Sequence, residues 1–167
     1  MNFKDFYSYI YKVTENVTPL PVDCGQLCDC SCCKGDDETG MYLFPGERVM
    51  YETTPAWAKI QKSGLVLAGD KVDFFSCSGK CDRALRPLAC RIFPIFPYID
   101  VSGELSLIMD PRGKGICPLA RAMYLSDLDG KFVDTVRYIS KLMMKNSLLY
   151  SYLFDLSRFT DNCSDIL

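Results

Sequence analysis

Cysteines crowd one short stretch of this chain, and the chain contains no histidine at all. Five of them fall between residues 24 and 33, at Cys24, Cys28, Cys30, Cys32 and Cys33, and four more follow at Cys77, Cys81, Cys90 and Cys117. A transition-metal site in such a chain would use largely sulfur, and sulfur ligands are typical of zinc and of iron–sulfur clusters.

The composition and charge limit which kinds of protein this chain can be. The 167 residues are 49% hydrophobic and 13% aromatic, which predicts one domain over 1–167 with a core of its own. The net charge of −2 provides no basic field for nucleic acid. We find neither a secretory signal at the N-terminus nor an apolar run of about 18 residues, so we expect a cytoplasmic protein without a membrane partner.

That expected compartment affects how the cysteines are interpreted. Thiols stay reduced in the cytosol, where dense cysteine clusters hold metal more often than they form disulfides. The alternative is a secreted disulfide scaffold, but such scaffolds are usually shorter and lack the apolar content of this chain.

Hydrophobic periodicity predicts an α+β fold. Residues 3–13 should form an amphipathic helix, residues 47–60 a helical turn or two, and residues 82–92 a short helix. Hairpins are expected around 68–71 and, with a two-residue turn, around Ser102-Gly103, and a short strand is expected at 41–44. Small hairpins and cysteine-rich metal-binding loops over 24–120 would thus pack against the N-terminal helix and the C-terminal helices of 121–160.

The C-terminal third carries two apolar stripes at helical spacing, which we interpret as core rather than as a partner surface. The first stripe contains Phe132, Val133, Val136, Ile139 and Met143, and the second contains Leu148, Leu149, Tyr152, Leu153, Leu156 and Phe159.

The clustered cysteines are spaced too closely for all of them to bind one ion. Neighbouring side chains tend to point apart, which suits bridging sulfurs or ligands divided between two ions. Cys77 and Cys81 form a second chelating pair, which Cys90 and Cys117 would complete from a distance. Nine sulfurs fit two tetrahedral zinc sites using eight, a four-iron cluster using four, or a three-zinc cluster with bridging thiolates using all of them.

Charged residues and one remaining thiol accompany this set. Lys80, Arg83, Arg86 and Arg91 either form a solvated basic face or offset the charge of a thiolate site. Arg112-Gly-Lys-Gly115 is interpreted as a solvated turn, with anion contact as the alternative. Cys163 is expected to be a spare thiol.

Several catalytic classes are excluded. Without histidine there is no Cys–His nucleophile and no serine triad. A radical-SAM loop is excluded because Ser31 stands where its third cysteine should follow Cys28. The Cys30-Ser-Cys32-Cys33 run lacks the βαβ context of a thioredoxin-like motif.

The motifs resemble those of the YkgJ-type family, described as zinc- or iron-chelating domains, whose first motif is usually written C-x3-C-x2-C-C. Here Cys24-x3-Cys28-x3-Cys32-Cys33 is one residue longer, with Cys30 inserted. The run Arg86-Pro-Leu-Ala-Cys90-Arg91-Ile-Phe-Pro94 is similar to the family's second motif, and Leu43-Phe-Pro-Gly-Glu47 to its acidic segment. The resemblance covers roughly residues 24–120. It implies that Arg86 and Arg91 support the metal ligands Cys24, Cys28, Cys32, Cys33, Cys77, Cys81 and Cys90.

Three hypotheses follow. The first is a metal-binding protein whose thiolate site, with zinc as the expected metal, organises the fold in a structural or chelating role. The second is an iron–sulfur enzyme or electron-transfer module in which the cluster is the reactive centre. Because the related flagellin lysine N-methylases have a similar cysteine-rich region, the resemblance adds a methylase as an alternative, but the chain is short for such an enzyme and shows no nucleotide-binding glycine motif. The third is a redox or metal sensor that loses metal on oxidation.

Overall fold

The computed structural model of the protein describes residues 2–22, 24–33, 39–79 and 81–164, without the side chains of residues 163 and 164. Short 3₁₀ turns connect the regular elements. The α-helices are α1 (Phe3–Val13), α2 (Gly25–Cys28), α3 (Leu88–Ile92), α4 (Pro118–Ala122), α5 (Gly130–Met143) and α6 (Ser147–Ser164).

Within the described ranges, five strands form two antiparallel sheets. The strands are β1 (Gly40–Tyr42), β2 (Ala58–Leu67), β3 (Asp70–Cys77), β4 (Ile95–Ile99) and β5 (Leu105–Met109). A three-stranded sheet has the order β1-β3-β2, and a separate hairpin joins β4 to β5. The register of the hairpin pairs Ile95 with Met109 and Ile99 with Leu105. Helices with two small sheets confirm the predicted α+β class.

The predicted first helix is confirmed with the expected bounds. Asn2 caps it by accepting a hydrogen bond from the Lys4 N–H. Its buried face consists of Tyr7, Ile10 and Tyr11. These side chains enter the main core together with residues from β4, α3, α5 and α6.

The C-terminal stripes lie in the core, as predicted. All five members of the α5 stripe are buried, and so are Leu149, Tyr152, Leu153 and Leu156 of α6, whereas Leu148 is 38% exposed. α6 is fastened to β4 because the Ser157 hydroxyl accepts a hydrogen bond from the Ile99 N–H. The main core therefore lies between α1, the β4–β5 hairpin and the two long helices.

Three local predictions need correction. The helix expected over 82–92 is split by Pro87 into a 3₁₀ turn at Arg83–Leu85 and α3, because proline cannot donate the hydrogen bond that would continue the helix. The helical turns expected over residues 47–60 extend only from Glu47 to Tyr51, because β2 already begins at Ala58.

The second hairpin also has a longer loop than predicted. The Asp100 N–H donates to the Glu104 carbonyl, so three residues close the turn rather than two. The Asp100 carboxylate accepts hydrogen bonds from the N–H groups of Ser102 and Glu104, which holds this loop. The Asp100 side chain thus stabilises a three-residue loop, which the Ser102-Gly103 pair alone did not indicate.

None of the helices in the described ranges is both long enough and apolar enough to span a lipid bilayer.

Candidate metal centre

Sulfur atoms line a large cavity of about 280 Å³ at the junction of the three-stranded sheet, α3 and the cysteine-rich loop. Cys77 ends β3, Cys90 lies on α3, and Cys81 lies on the loop that joins these elements. Cys32 and Cys33 approach from the 3₁₀ turn at Ser31–Cys33. Segments far apart in sequence therefore bring these sulfurs to one place.

A second group of sulfurs surrounds a neighbouring small cavity of about 30 Å³. Cys24 immediately precedes α2, Cys28 ends it, and Cys32 reaches this cavity as well. Cys117, which precedes α4 and is only 7% exposed, completes the lining.

The adjacent pair Cys32 and Cys33 lies where the two groups meet. Their Sγ atoms are 3.9 Å apart. Cys32 lines both cavities, whereas Cys33 lines only the large one. When Cys32 is counted with the small cavity, the eight cysteines divide into two groups of four, one of Cys33, Cys77, Cys81 and Cys90 and the other of Cys24, Cys28, Cys32 and Cys117.

The sulfurs also affect one another's pKa. Burial raises the pKa of the Cys90 thiol, and Cys33, Cys81 and Cys77 raise it further. A hydrogen bond with Cys33, then burial, raises the pKa of Cys32, and Cys117 and Cys24 add to the effect. Cys32 therefore interacts with cysteines of both groups, in agreement with its place in the lining of both cavities.

The sulfurs are not arranged as a closed coordination sphere. Among the described residues, no three His, Cys, Asp or Glu side chains are positioned to hold a metal ion. The donors nevertheless suit zinc or an iron–sulfur cluster in kind, since all are cysteine sulfur, and in number, since each cavity has at least the four that such a site needs. All nine described cysteines carry thiols.

Cys30 differs from the other cysteines of the run. It is exposed, and neither described cavity has it in its lining. Its φ of 50° follows that of Asp29 at 49°, so two residues in succession adopt the left-handed conformation. This turn separates α2 from the Ser31–Cys33 turn and directs Cys30 outwards.

The two arginines assigned as supporting residues have different surroundings. The Arg86 Nε–H donates to the Cys81 sulfur at 3.3 Å, and Arg86 lines the large cavity. Arg91 is only 8% exposed, and its guanidinium lies 4.1 Å from the centre of the Tyr11 ring. It donates to the carbonyl oxygens of Arg86, Arg83 and Ala84.

Arg91 therefore holds the backbone between Cys81 and Cys90, while Arg86 touches sulfur directly. Arg83, also in the basic group, donates to the carbonyl oxygens of Glu15 and Val17 rather than facing solvent alone.

A buried carboxylate organises the same region, a role that our sequence analysis missed. Glu47 is completely buried, and it accepts hydrogen bonds from the Phe44 N–H, the Leu88 N–H and the Tyr11 hydroxyl. Burial raises the pKa of Glu47, while those donors and Arg91 oppose the rise. Leu88 begins α3, so Glu47 positions the helix that carries Cys90. The sequence signal that could have identified this buried carboxylate is the Leu43–Glu47 segment, which resembles the acidic segment of the family.

Two residues of the sequence analysis, Lys80 and the side chain of Cys163, lie outside the described part of the chain. The chain matches no family model, no curated protein and no solved structure, so its likeness to the YkgJ-type family rests on the motifs alone.

Proposed function

We propose that the chain is a metal-binding protein in which two adjacent four-cysteine sites organise the cysteine-rich loops, with zinc as the metal. The observation that supports this proposal is the grouping of eight cysteines around two neighbouring cavities, five at the large one and four at the small one, with Cys32 lining both. The role is structural or chelating.

Local packing supports a structural role. No residue of α2 or of the Ser31–Cys33 turn is buried, and the segment that carries five cysteines contributes little to the hydrophobic core beyond the packing of Cys24 against the small cluster of Cys117, Leu119 and Ala120. A segment with so little burial needs another source of stability to compensate for its conformational entropy. Bound metal supplies free energy of folding directly to such small sites.

Arg86 supports the same proposal. A zinc ion with four thiolates carries a net negative charge, which donors around the sulfurs must offset. The guanidinium on Cys81 supplies a fixed positive charge at one group.

A second candidate is an iron–sulfur enzyme or electron-transfer module. The large cavity favours this candidate, because aromatic side chains extend its lining beyond the sulfurs. A purely structural metal site does not require such a space, whereas a site that binds a substrate does. When bound, such a cluster would supply electron transfer or a site for substrate binding.

Metal analysis combined with an ultraviolet–visible spectrum on protein purified without oxygen separates the two candidates. We expect about two zinc ions per chain and no visible band, since two tetrahedral sites use eight sulfurs. Iron with labile sulfide and a broad visible band would reject zinc and support the second candidate.

Single substitutions test the division into two groups. Cys90→Ser and Cys117→Ser should each lose about one zinc ion per chain, because each removes one sulfur of a four-ligand site. Cys30→Ser is the matched control and should keep both ions. Loss of metal from Cys30→Ser, or full retention in Cys90→Ser, would contradict the assignment.

A further inference from the structure

The large cavity extends beyond the sulfurs into an aromatic chamber. Ile116, which is 46% exposed, also lines it and marks its opening to solvent. Its volume of about 280 Å³ is close to the lower limit of pockets that take small organic molecules, about 300 Å³. The aromatic walls are Tyr42, Phe44, Phe74, Phe75, Phe93 and Phe96.

A guanidinium is held rigidly in this chamber. Arg112 donates from Nε to Asp110 Oδ1 at 2.9 Å and from Nη2 to Asp110 Oδ2 at 2.7 Å. Its Cζ lies 4.8 Å from the centre of the Phe96 ring. Both Arg112 and Asp110 line the cavity. The sequence-based interpretation of residues 112–115 as a solvated turn is therefore wrong for Arg112, whose side chain is only 29% exposed.

Arg112 retains donors that its partner does not use. Asp110 engages Nε and one hydrogen of Nη2, and Nη1 has no hydrogen-bond partner within the described part of the chain. The end of the guanidinium thus presents one N–H from each Nη atom, side by side. Two parallel N–H donors are the geometry that a carboxylate binds with both of its oxygens.

A tyrosine hydroxyl shares the cavity with this guanidinium, since Tyr152 and Arg112 both belong to its lining. Tyr152 is 2% exposed, its ring packs against Phe44, and its hydroxyl makes no hydrogen bond to any described residue. Burial raises the pKa of Tyr152, while the charge of Arg112 opposes the rise. Among the described residues this hydroxyl is not one of the fully buried polar atoms that lack a partner, so it stays open to the cavity, where a ligand or water can accept its hydrogen bond.

We propose that the large cavity binds a small organic carboxylate with an apolar, ring-sized body. The ring packs among the aromatic walls, and the carboxylate accepts hydrogen bonds from the free end of Arg112 and from the Tyr152 hydroxyl. The open Nη hydrogens of Arg112 can only donate and the Tyr152 hydroxyl is able to donate, which favours a ligand rich in acceptors at this end of the cavity. Asp110 fixes the plane of the guanidinium beforehand, which lowers the entropic cost of binding.

This binding site does not depend on which metal the cysteines hold, because its polar groups belong to the β5–α4 connection and α6. Metal content is therefore measured separately on every sample. Phenylacetate binding with no metal present would reject the proposed function and leave this inference standing, whereas zinc without phenylacetate binding would reject this inference alone.

The test is calorimetric titration of the purified chain with phenylacetate and with its uncharged match, phenylacetamide. We expect phenylacetate to bind at least about tenfold more tightly, because a hydrogen bond to a charged group contributes more than one to a neutral group. Equal affinity for the two, or no binding of phenylacetate, would overturn the proposal.

Variants locate the site. Tyr152→Phe should weaken phenylacetate about tenfold, which is the size of one hydrogen bond to a charged acceptor. Ile116→Trp should abolish binding by filling the opening. Tyr138→Phe is the control, since that exposed tyrosine pairs with Tyr9 away from the cavity. Unchanged affinity in Tyr152→Phe, with the control also unchanged, would reject Arg112 and Tyr152 as the carboxylate site.

Discussion

Arg86 and Arg91 show how two like residues of one short segment acquire different roles. Arg86 reaches the Cys81 sulfur, while Arg91 is buried among backbone carbonyls and against the Tyr11 ring. A lysine could keep the charge at either position but not the planar set of five donors. The sequence placed both arginines beside the cysteines, but it contained no signal that only Arg86 contacts sulfur.

Substitution by lysine should separate these roles. Arg91→Lys removes several hydrogen bonds to buried carbonyls, so we expect the free energy of unfolding to fall by about 3 kcal/mol. Denaturant unfolding of the metal-loaded protein measures this loss. Arg86→Lys should have the smaller effect on unfolding and the larger effect on metal retention, measured as the rate of zinc transfer to a chelator.

The opposite pattern, with Arg86→Lys more destabilised and Arg91→Lys losing metal faster, would show that the two contacts are assigned the wrong way round.

At the scale of elements, the β2–β3 hairpin depends on an unusual turn. Ala68 and Gly69 connect the strands with φ values of 51° and 83°, both in the left-handed region. Turns with positive φ at both central residues match the twist of the flanking strands. The Ala68 N–H also donates to the Asp155 carboxylate of α6, so the turn fixes the sheet against the C-terminal helix.

Gly69→Ala should destabilise the protein by about 1 kcal/mol, since an L side chain is strained at positive φ. Nothing lies within 4 Å of the Cβ that would be added, so the cost is conformational rather than steric. Gly64→Ala is a matched control, because its added Cβ also meets nothing and its φ is not in the left-handed range.

The control should be neutral or slightly stabilising, by about 0.5 kcal/mol through the unfolded state. Chemical denaturation compares the two variants, and equal losses would exclude strain at Gly69 as the cause.

At the scale of the whole molecule, the hydrophobic core and the cysteine groups are adjacent but stabilised differently. The core is assembled from α1, β4, α3, α5 and α6. The loop that carries five cysteines has no buried residue between 24 and 33. Removal of metal should therefore loosen one part of the molecule and spare the other.

Hydrogen exchange before and after chelation tests this expectation. Amides of residues 24–33 and 77–86 should exchange faster once zinc is removed, because metal ligation is proposed as their main stabilisation. Amides of α5 and α6 should keep their protection, since burial in the core stabilises those helices. Loss of protection throughout the chain would show instead that the metal sites support the entire fold.

Local periodicity was enough to predict several elements. Residues 3–13, the two hairpins and the apolar stripes of the C-terminal helices follow from patterns that span a few residues, and those patterns act within the element itself. The errors occurred where a single side chain or proline altered the local geometry, as at Pro87 and Asp100.

The sequence by itself determined that a transition-metal site here would use largely sulfur, because the chain offers nine clustered cysteines and no histidine. Only the tertiary structure decided how the sulfurs divide, since Cys77, Cys90 and Cys117 approach the loop from distant segments. It also brought Arg112 and Tyr152 to the same cavity, although they are forty positions apart in the sequence. Contacts of that range depend on how the elements pack, which no local spacing encodes.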